Sequence, residues 1–295
     1  MSFSLYLKNK LSEKQISRND FIAQLNLFNN EFENLDAITL SRWMNNKTTP
    51  STYKQVLISH YFNDDLIRFL KKYITIRKEA RHIKETFNTI MNKIESSYTN
   101  ISYFHSIHDE YKYDVNILEH DEYNKLFGKY YMNFQTYTEL RKIFNEKKIK
   151  TNNTCIIKRK NGVVTSHLSF MELDNSTSDI LSNYFDTKID SDAFINISHF
   201  EDKETYLFIN LLLIYLFSKK TIYSFTCLIR SEIFDFLIAL PCVQIGTTYL
   251  DNDKKLYLIK FDLLQLISNP FIRNLFIDFL LQNKKNLDCL LSKLN

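Results

Sequence analysis

Side chains that form hydrogen bonds are concentrated in one segment near the start of the chain, Asp36 to Ser51, which reads DAITLSRWMNNKTTPS. Asp36 is a favourable helix N-cap, and apolar residues at helical spacing predict a short helix that ends near Met44. The outward face of this helix would carry short hydroxyl and amide side chains around one arginine, Arg42. Arginine binds guanine through two hydrogen bonds, so this face has the chemistry needed to read base edges in a DNA major groove.

The segment therefore predicts a set of DNA contacts. Arg42 is the candidate for direct base contact, and residues near the start of the same helix can touch base edges or thymine methyl groups. The others are expected to contact phosphates, which fixes the register without reading sequence. The base-proximal candidates are Ala37, Ile38, Thr39, Ser41 and Arg42, and the phosphate candidates are Arg18, Asn45, Lys47, Thr48 and Thr49.

The stretch TLSRWMNNKTTPS resembles the recognition segment of the lambda-repressor-like (XRE) helix-turn-helix family, which often reads T-[IL]-S-R-W-E-N-G-K-x-x-P-S. Met44 stands for the usual Glu, and Asn46 for the usual Gly. The resemblance implies a five-helix bundle over residues 3–70 that binds double-stranded DNA. The segment between the second and third helices, NLFNNEFENL, is longer than the tight turn of most members. The five helices are predicted at Phe3–Leu11, Arg18–Leu25, 37–44, Thr52–Tyr61 and Asp64–Tyr73.

Charge and glycine content narrow the class of protein. Residues 1–100 contain 15 Lys and Arg against 10 Asp and Glu, whereas the remainder is close to neutral. The basic excess thus lies with the candidate DNA-binding segment, as an electrostatic footprint on phosphate requires. Only three of the 295 residues are glycine. A phosphate-binding P-loop or dinucleotide fingerprint needs several glycines in one tight turn, so both are excluded.

The cysteines and apolar runs favour a cytoplasmic protein with no cofactor. The four cysteines are widely spaced and have no histidine at zinc-ligand spacing, so we expect reduced thiols. The N-terminus shows no signal-peptide pattern. The most apolar run, Tyr206–Phe217, has 12 residues, which is short of the roughly 20 needed to cross a membrane. We therefore expect no membrane interaction.

The rest of the chain predicts a connector helix over residues 71–100 and an α/β domain over residues 101–295. Two β-rich runs around Asn161-Gly162 predict a hairpin with a type I′ turn. Strand, helix, strand, helix and two further strands follow, and Asn269-Pro270 begins a closing helix that runs to about Leu291. This order resembles the GNAT acetyltransferase fold. The resemblance is strongest at the end of the domain, which reads EIFDFLIALPCVQIGTTYLDNDKKLYLIKFDL. The predicted fold class is α+β, with the helical bundle, the connector helix and a GNAT-like domain.

The GNAT resemblance implies a [RQ]-x-x-G-x-[GA] loop that holds the pyrophosphate of acetyl-CoA after the fourth strand. The equivalent residues here, His199 to Glu204, contain neither glycine nor arginine and include three carboxylates, which would repel a pyrophosphate. A general base would have to be Glu201 or His199. The sequence therefore predicts a domain that is not an enzyme. Histidines and acids between His105 and His120 have loose spacing for a metal site, so no metal is expected.

Together these patterns predict a sequence-specific DNA-binding transcription regulator that acts as a homodimer. Its GNAT-like domain would be catalytically inactive and would serve dimerisation or the sensing of a small-molecule or protein ligand. One alternative is an active acetyl-CoA-dependent N-acetyltransferase fused to a DNA-binding module. Another makes the helical bundle a protein-interaction module, such as an antitoxin-type adaptor.

Overall fold

The computed structural model describes residues 2–74, 81–99, 111–252 and 254–291. Contacts between Cα atoms divide the chain into two units. The helical unit comprises Met1–Lys78 and Ile267–Ile277, and the α/β unit comprises Glu79–Leu266 and Asp278–Asn295. Among the helices that the structure describes, none is both long enough and apolar enough to cross a membrane.

Five short α-helices occupy the N-terminal part of the helical unit. At each of their N-termini a serine or aspartate side chain accepts a hydrogen bond from a backbone N–H of the first turn, which satisfies a donor that the helix itself leaves unpaired. The capping residues are Ser2, Ser17, Asp36, Ser51 and Asp65. The helices are α1 (Phe3–Glu13), α2 (Arg18–Phe28), α3 (Ala37–Met44), α4 (Thr52–Tyr61) and α5 (Leu66–Tyr73), and a 3-10 turn (Asn30–Phe32) follows α2.

Apolar residues from one face of each helix form the core of this unit. Leu7, Phe21 and Leu25 are fully buried, and Trp43 of α3 is 6% exposed. The ring of Phe21 stacks on that of Phe62 at 5.5 Å. These helices lie at the five predicted positions, because N-caps and helical apolar spacing are local signals that tertiary packing did not override here.

The α/β unit begins with a long helix, one strand and two helices. These are α6 (Arg81–Thr99), β1 (Tyr111–Leu118), α7 (His120–Tyr131) and α8 (Gln135–Glu146). The hairpin of β2 (Asn153–Lys160) and β3 (Val163–Glu172) follows, then α9 (Asn175–Tyr184) and the short β4 (Ala193–Ile195). The hairpin turn is as predicted, since Asn161 and Gly162 both have positive φ, at 50° and 81°.

The second half of the unit completes a seven-stranded sheet with the order β1-β2-β3-β4-β5-β7-β6. Its elements are α10 (Lys203–Lys220), β5 (Ser224–Arg230), α11 (Phe234–Leu237), β6 (Cys242–Asp251) and β7 (Lys254–Asp262). The chain continues with α12 (Leu263–Ser268), α13 (Pro270–Gln282) and α14 (Lys284–Leu291), and of this stretch Ile267–Ile277 belongs to the helical unit. A 3-10 turn (Ser231–Ile233) precedes α11. The predicted α+β class is confirmed, and from the hairpin to the last strand the elements follow the predicted order except for α9.

Two elements differ from the prediction. Helix α9 was not expected, because its first turn is rich in Ser and Thr; a capping box between Asp174 and Thr177 begins it. The predicted closing helix over residues 269–291 is divided into α13 and α14. Asn283 lies at the break, where its side chain donates to the carbonyl of Phe279 and its own carbonyl accepts from Leu287.

Candidate active site

The sheet opens where β4 and β5 part. They are the only parallel neighbours among the described strands, and they pair over three residues, from Ala193↔Phe225 to Ile195↔Cys227. Beyond this point the β4 chain stays with β3, through the bridge between His167 and His199. The β5 chain stays with β7 as far as Arg230. The two strands therefore separate at their carboxyl ends, which is where open α/β sheets bind ligands. We call the region between residues 196–199 and 228–230 the gap.

His199 lies beside this gap, four residues past the end of β4, where two backbone hydrogen bonds to His167 of 2.9 and 3.0 Å fix its position. The imidazole of His199 is half-buried. Burial lowers its pKa below the usual value, the nearby Arg230 lowers it further, and Glu201 acts in the opposite direction. Its ring centroid is 6.0 Å from that of Tyr130. His199 is therefore neutral at pH 7 and can accept a proton, as a general base must.

The loop before α10 contains an ion-pair cluster. Lys158 of β2 is 7% exposed and forms ion pairs with Glu201 and Asp202. Its Nζ also donates to Thr205 Oγ1 at 2.7 Å. Although burial lowers the pKa of Lys158, its hydrogen bonds to the two carboxylates outweigh that effect and raise it. Lys158 thus neutralises the carboxylate of Glu201 through their ion pair. Of the two bases predicted from the sequence, His199 is therefore better placed to accept a proton.

The same cluster decides whether the loop fits the pyrophosphate of coenzyme A. Asp202 is the N-cap of α10, and its Oδ1 accepts from the backbone N–H of Thr205 at 2.6 Å. A bound pyrophosphate would need these N-terminal N–H groups, because they form the anion site of a helix. The chain's own carboxylate occupies that position. The residues present therefore do not fit a pyrophosphate.

A buried hydrogen-bond network lies on the β3 and β4 side of the gap. Tyr123 and Tyr131 of α7 contact the hydroxyl of Ser169 at 2.7 and 3.2 Å. Asn196, the first residue after β4, donates to both Tyr123 and Ser169. Tyr131 donates to the carbonyl of Ile197 at 3.0 Å. Such networks fix one arrangement of the backbone, so this one holds the segment after β4 in place.

The network continues to His167, whose Nε2 lies 3.2 Å from the hydroxyl of Tyr131. Burial, with a smaller contribution from His199, lowers the pKa of His167 to about 3. In the unfolded chain this group titrates near 6.5, so below that pH only the unfolded state takes up its proton. We expect stability to fall as the pH drops from 6.5 towards 3, by about 1.4 kcal/mol per pH unit for this one proton.

Urea unfolding across this pH range, on the wild type and on His167→Gln, measures the contribution. The free energy of unfolding of His167→Gln should depend less steeply on pH, because the contribution of the His167 proton is missing. Equal slopes for both proteins would mean that His167 is not the group responsible.

A small cavity adjoins the network between α7, α8 and the sheet. Polar residues in its wall include His120, Asn124, Tyr137, Arg141, Asn153 and Asn196. His120 is held by contacts of its Nε2 with Asn145 at 3.1 Å and of its Nδ1 with Thr151 at 3.4 Å. Asn196 belongs both to the cavity wall and to the segment after β4, so the cavity reaches the start of that segment.

The ten predicted DNA contacts are brought together only in part, on α3 and the loop after it. Arg42, Ala37 and Ile38 are exposed, while Thr39 and Ser41 are half-buried. The phosphate candidates Arg18, Asn45, Lys47, Thr48 and Thr49 are exposed. Leu40, Trp43 and Met44 point into the core of the helical unit. Any surface helix shows this division, so the exposures do not test DNA binding.

The described part of the structure gives little support for chemistry at a metal ion or at a cysteine thiol. Within the described ranges, no group of three or more His, Cys, Asp and Glu residues is placed to hold a metal ion. Of the predicted histidine and acid cluster, residues 105–110 lie outside the described part. The thiols of Cys155 and Cys227 are buried and free, and burial raises the pKa of each. These thiols are therefore protonated and unreactive.

Comparisons with known proteins relate the chain to solved structures only. No family model matches, and no curated protein matches. The structure of the AHL synthase LasI matches with 9% identity and a TM-score of 0.37, over 54% of this chain and 95% of that one. FeeM, an N-acyl amino acid synthase from uncultured soil microbes, matches with 10% identity and a TM-score of 0.35, over 54% of this chain and 96% of that one.

These comparisons correct two predictions. Both matching proteins are named as synthases, and neither is named as a DNA-binding protein. The predictions that the chain is a DNA-binding transcription regulator and that it is not an enzyme are therefore wrong. Neither comparison supports the assignment of the bundle to the helix-turn-helix family. At such low identity and TM-score the likeness does not extend to substrates, so function has to be argued from the site.

Sequence reasoning missed several residues of this site. Lys158 gave a weak signal, because it is the first of three consecutive cations, Lys158 to Lys160, and only the fold shows that it alone of the three is buried. Tyr123, Tyr131 and Ser169 gave no signal, since aromatic and hydroxyl residues at such spacings are common in helices and strands. Arg141 reads as an ordinary charge of α8, and only the fold brings it to the cavity.

Proposed function

We propose that the α/β unit is an acyltransferase that moves an acyl group from a thioester donor to a small nucleophilic acceptor. The separation of β4 from β5 after Ile195 and Cys227 is the observation that carries the proposal. Beyond these residues the two strands no longer pair with each other, and unpaired strand edges bind extended ligands. The polar cavity next to the gap supplies the place for the acceptor.

His199 is the general base in this scheme. It removes a proton from the acceptor as the acceptor nitrogen or oxygen attacks the thioester carbonyl. The bond between the acyl carbon and sulfur breaks, the new acyl bond forms, and the proton passes from the imidazolium of His199 to the departing thiolate. Because its pKa lies below the usual value, His199 is unprotonated and competent at neutral pH.

The donor is not held through a pyrophosphate, because Asp202 occupies the N-terminus of α10. We expect S-acetyl-pantetheine, which lacks the nucleotide and its phosphates, to react with a kcat/KM within about threefold of that of acetyl-CoA. A donor held through charge-assisted hydrogen bonds to its pyrophosphate would gain at least about 10-fold.

Thiol release from each donor, with a mixture of small primary amines as acceptors, makes this comparison. A preference for acetyl-CoA above 10-fold would contradict the account of the loop. Failure of both donors to release thiol would contradict the proposed acyltransferase.

A separate proposal concerns the helical unit, which would bind duplex DNA through the ten candidate residues and so localise the enzyme. The basic excess of residues 1–100 supports it.

Binding to DNA should weaken as the salt concentration rises, and Arg42→Ala should cost about 1–3 kcal/mol of binding free energy on the preferred site. Arg68→Ala, which removes an exposed arginine of α5, is the matched control. Fluorescence anisotropy at two salt concentrations measures both, and affinity that does not change with salt would rule out phosphate contacts.

A further inference from the structure

The cavity beside β4 contains hydrogen-bond donors that the protein itself leaves without acceptors. Arg141 lines the cavity, and within the part of the chain that the structure describes it forms no hydrogen bond or ion pair. The side-chain nitrogen of Asn124 is buried there, also without a partner among the described residues. A buried donor without an acceptor costs stability, so the Asn124 nitrogen indicates a ligand, and the half-buried Arg141 lines the same cavity.

The charge of the cavity wall defines the ligand class. Among the described residues that line the cavity, Arg141 is a cation and none is acidic. Burial raises the pKa of Tyr137 to about 12, with Arg141 acting against the rise, so its hydroxyl stays neutral. That hydroxyl donates to Asn124 Oδ1 at 2.7 Å, which turns the two N–H donors of the amide away from Tyr137. The wall therefore offers a guanidinium and an amide N–H, and both favour an anion.

The size of the cavity limits the ligand further. The cavity volume of about 40 Å³ corresponds to roughly three waters. A carboxylate with a few attached carbon atoms fits this space, and a planar carboxylate matches the fork of a guanidinium. Apolar wall residues, including Leu140, Phe144 and Phe194, would contact the carbon atoms.

We propose that this cavity binds the acceptor of the acyl transfer through a carboxylate, held by Arg141 and Asn124. This inference rests on the proposed acyltransferase, and it identifies the acceptor as a small amine or alcohol that carries a carboxylate. Asn196 lines the cavity and also begins the segment after β4, so this inference places the acceptor beside that segment.

Ligand-observed NMR titration of the full chain tests the carboxylate site without any acyl donor. The probes are propionate and propionamide, which have nearly the same shape but differ in charge. We expect propionate to bind at least about 10-fold more tightly than propionamide, because only propionate forms the charge-assisted hydrogen bonds. Arg141→Gln should weaken propionate binding about 10- to 100-fold.

Lys142→Gln is the matched control, since Lys142 is the next residue of α8 and its side chain is 76% exposed. It should bind propionate like the wild type. Asn124→Asp, which keeps the size of the side chain but removes the donor and adds a negative charge, should also lose propionate binding, and it provides a second test if Arg141→Gln does not fold.

Equal binding of the two probes, or propionate binding that survives both cavity variants, would overturn the carboxylate site. The acyltransferase proposal would still stand in that case if thiol release from S-acetyl-pantetheine is observed. Conversely, Arg141-dependent propionate binding without thiol release would support the site and contradict the enzyme.

Discussion

Replacing His199 by glutamine is expected to lower kcat for acyl transfer by about 100- to 1,000-fold, within the range that a positioned general base contributes. Glutamine keeps hydrogen-bonding capacity and approximate size but cannot accept the acceptor's proton. The backbone hydrogen bonds between His199 and His167 do not involve the replaced side chain. The fold should therefore be retained, and the loss should appear in kcat rather than in stability.

The pH profile separates a base from a structural histidine. In the wild type, kcat/KM should rise with pH through a pKa below the usual histidine value and then stay level, because burial and Arg230 disfavour the protonated form. His199→Gln should lack this rise. His82→Gln, which changes an exposed histidine of α6, should match the wild type. Activity in His199→Gln within fivefold of the wild type would show that another group is the base.

Replacing Lys158 by methionine should produce the largest loss of stability, about 2–4 kcal/mol, somewhat less than for a fully buried pair because the side chain of Asp202 is 36% exposed. Methionine fills the space of the lysine stem but leaves Glu201 and Asp202 next to each other without a cation. Thr205 also loses the Nζ donor that lies 2.7 Å from its hydroxyl.

Guanidinium chloride unfolding of Lys158→Met and of Lys125→Met makes the comparison, since Lys125 is an exposed lysine of α7. The control should change stability by no more than about 0.5 kcal/mol. A similar small change in Lys158→Met would mean that the cluster does not hold the loop before α10.

The stabilisation by this cluster should also depend on pH. Burial raises the pKa of Asp202, but its hydrogen bonds and Lys158 lower it overall. Part of the stabilisation should therefore disappear as the pH falls through that lowered pKa.

Local patterns in the sequence predicted most of the helices and strands. The aspartate and serine N-caps of the helical unit and the Asn161-Gly162 turn depend on neighbouring residues only, so the sequence alone could place them. Helix α9 was missed because its capping box lies in a Ser- and Thr-rich run that looks like a loop. The division at Asn283 was missed because an asparagine inside an apolar pattern is a weak stop signal.

The site could not be predicted in the same way, because it depends on contacts between distant segments. His199 was identified as a possible base, but its link to His167 spans the connection from β3 to β4. Lys158 and Asp202 are 44 residues apart in the chain, so the sequence could not show that Lys158 forms an ion pair with the carboxylate that caps α10. The prediction that one face of α3 is exposed was confirmed. The conclusion drawn from that face, that the chain is a transcription regulator, was wrong.

NMR titration of the isotopically labelled chain with a pantetheine ketone, in which CH₂ replaces the thioester sulfur, tests the central claim most directly. This analogue cannot transfer its acyl group, so the test needs no knowledge of the acceptor. We predict that the backbone amide signals of residues 196–199 and 228–230 shift on titration, because the analogue enters the gap between these segments. Shifts confined to other residues, or no shifts at millimolar analogue, would contradict an acyl-donor site between β4 and β5.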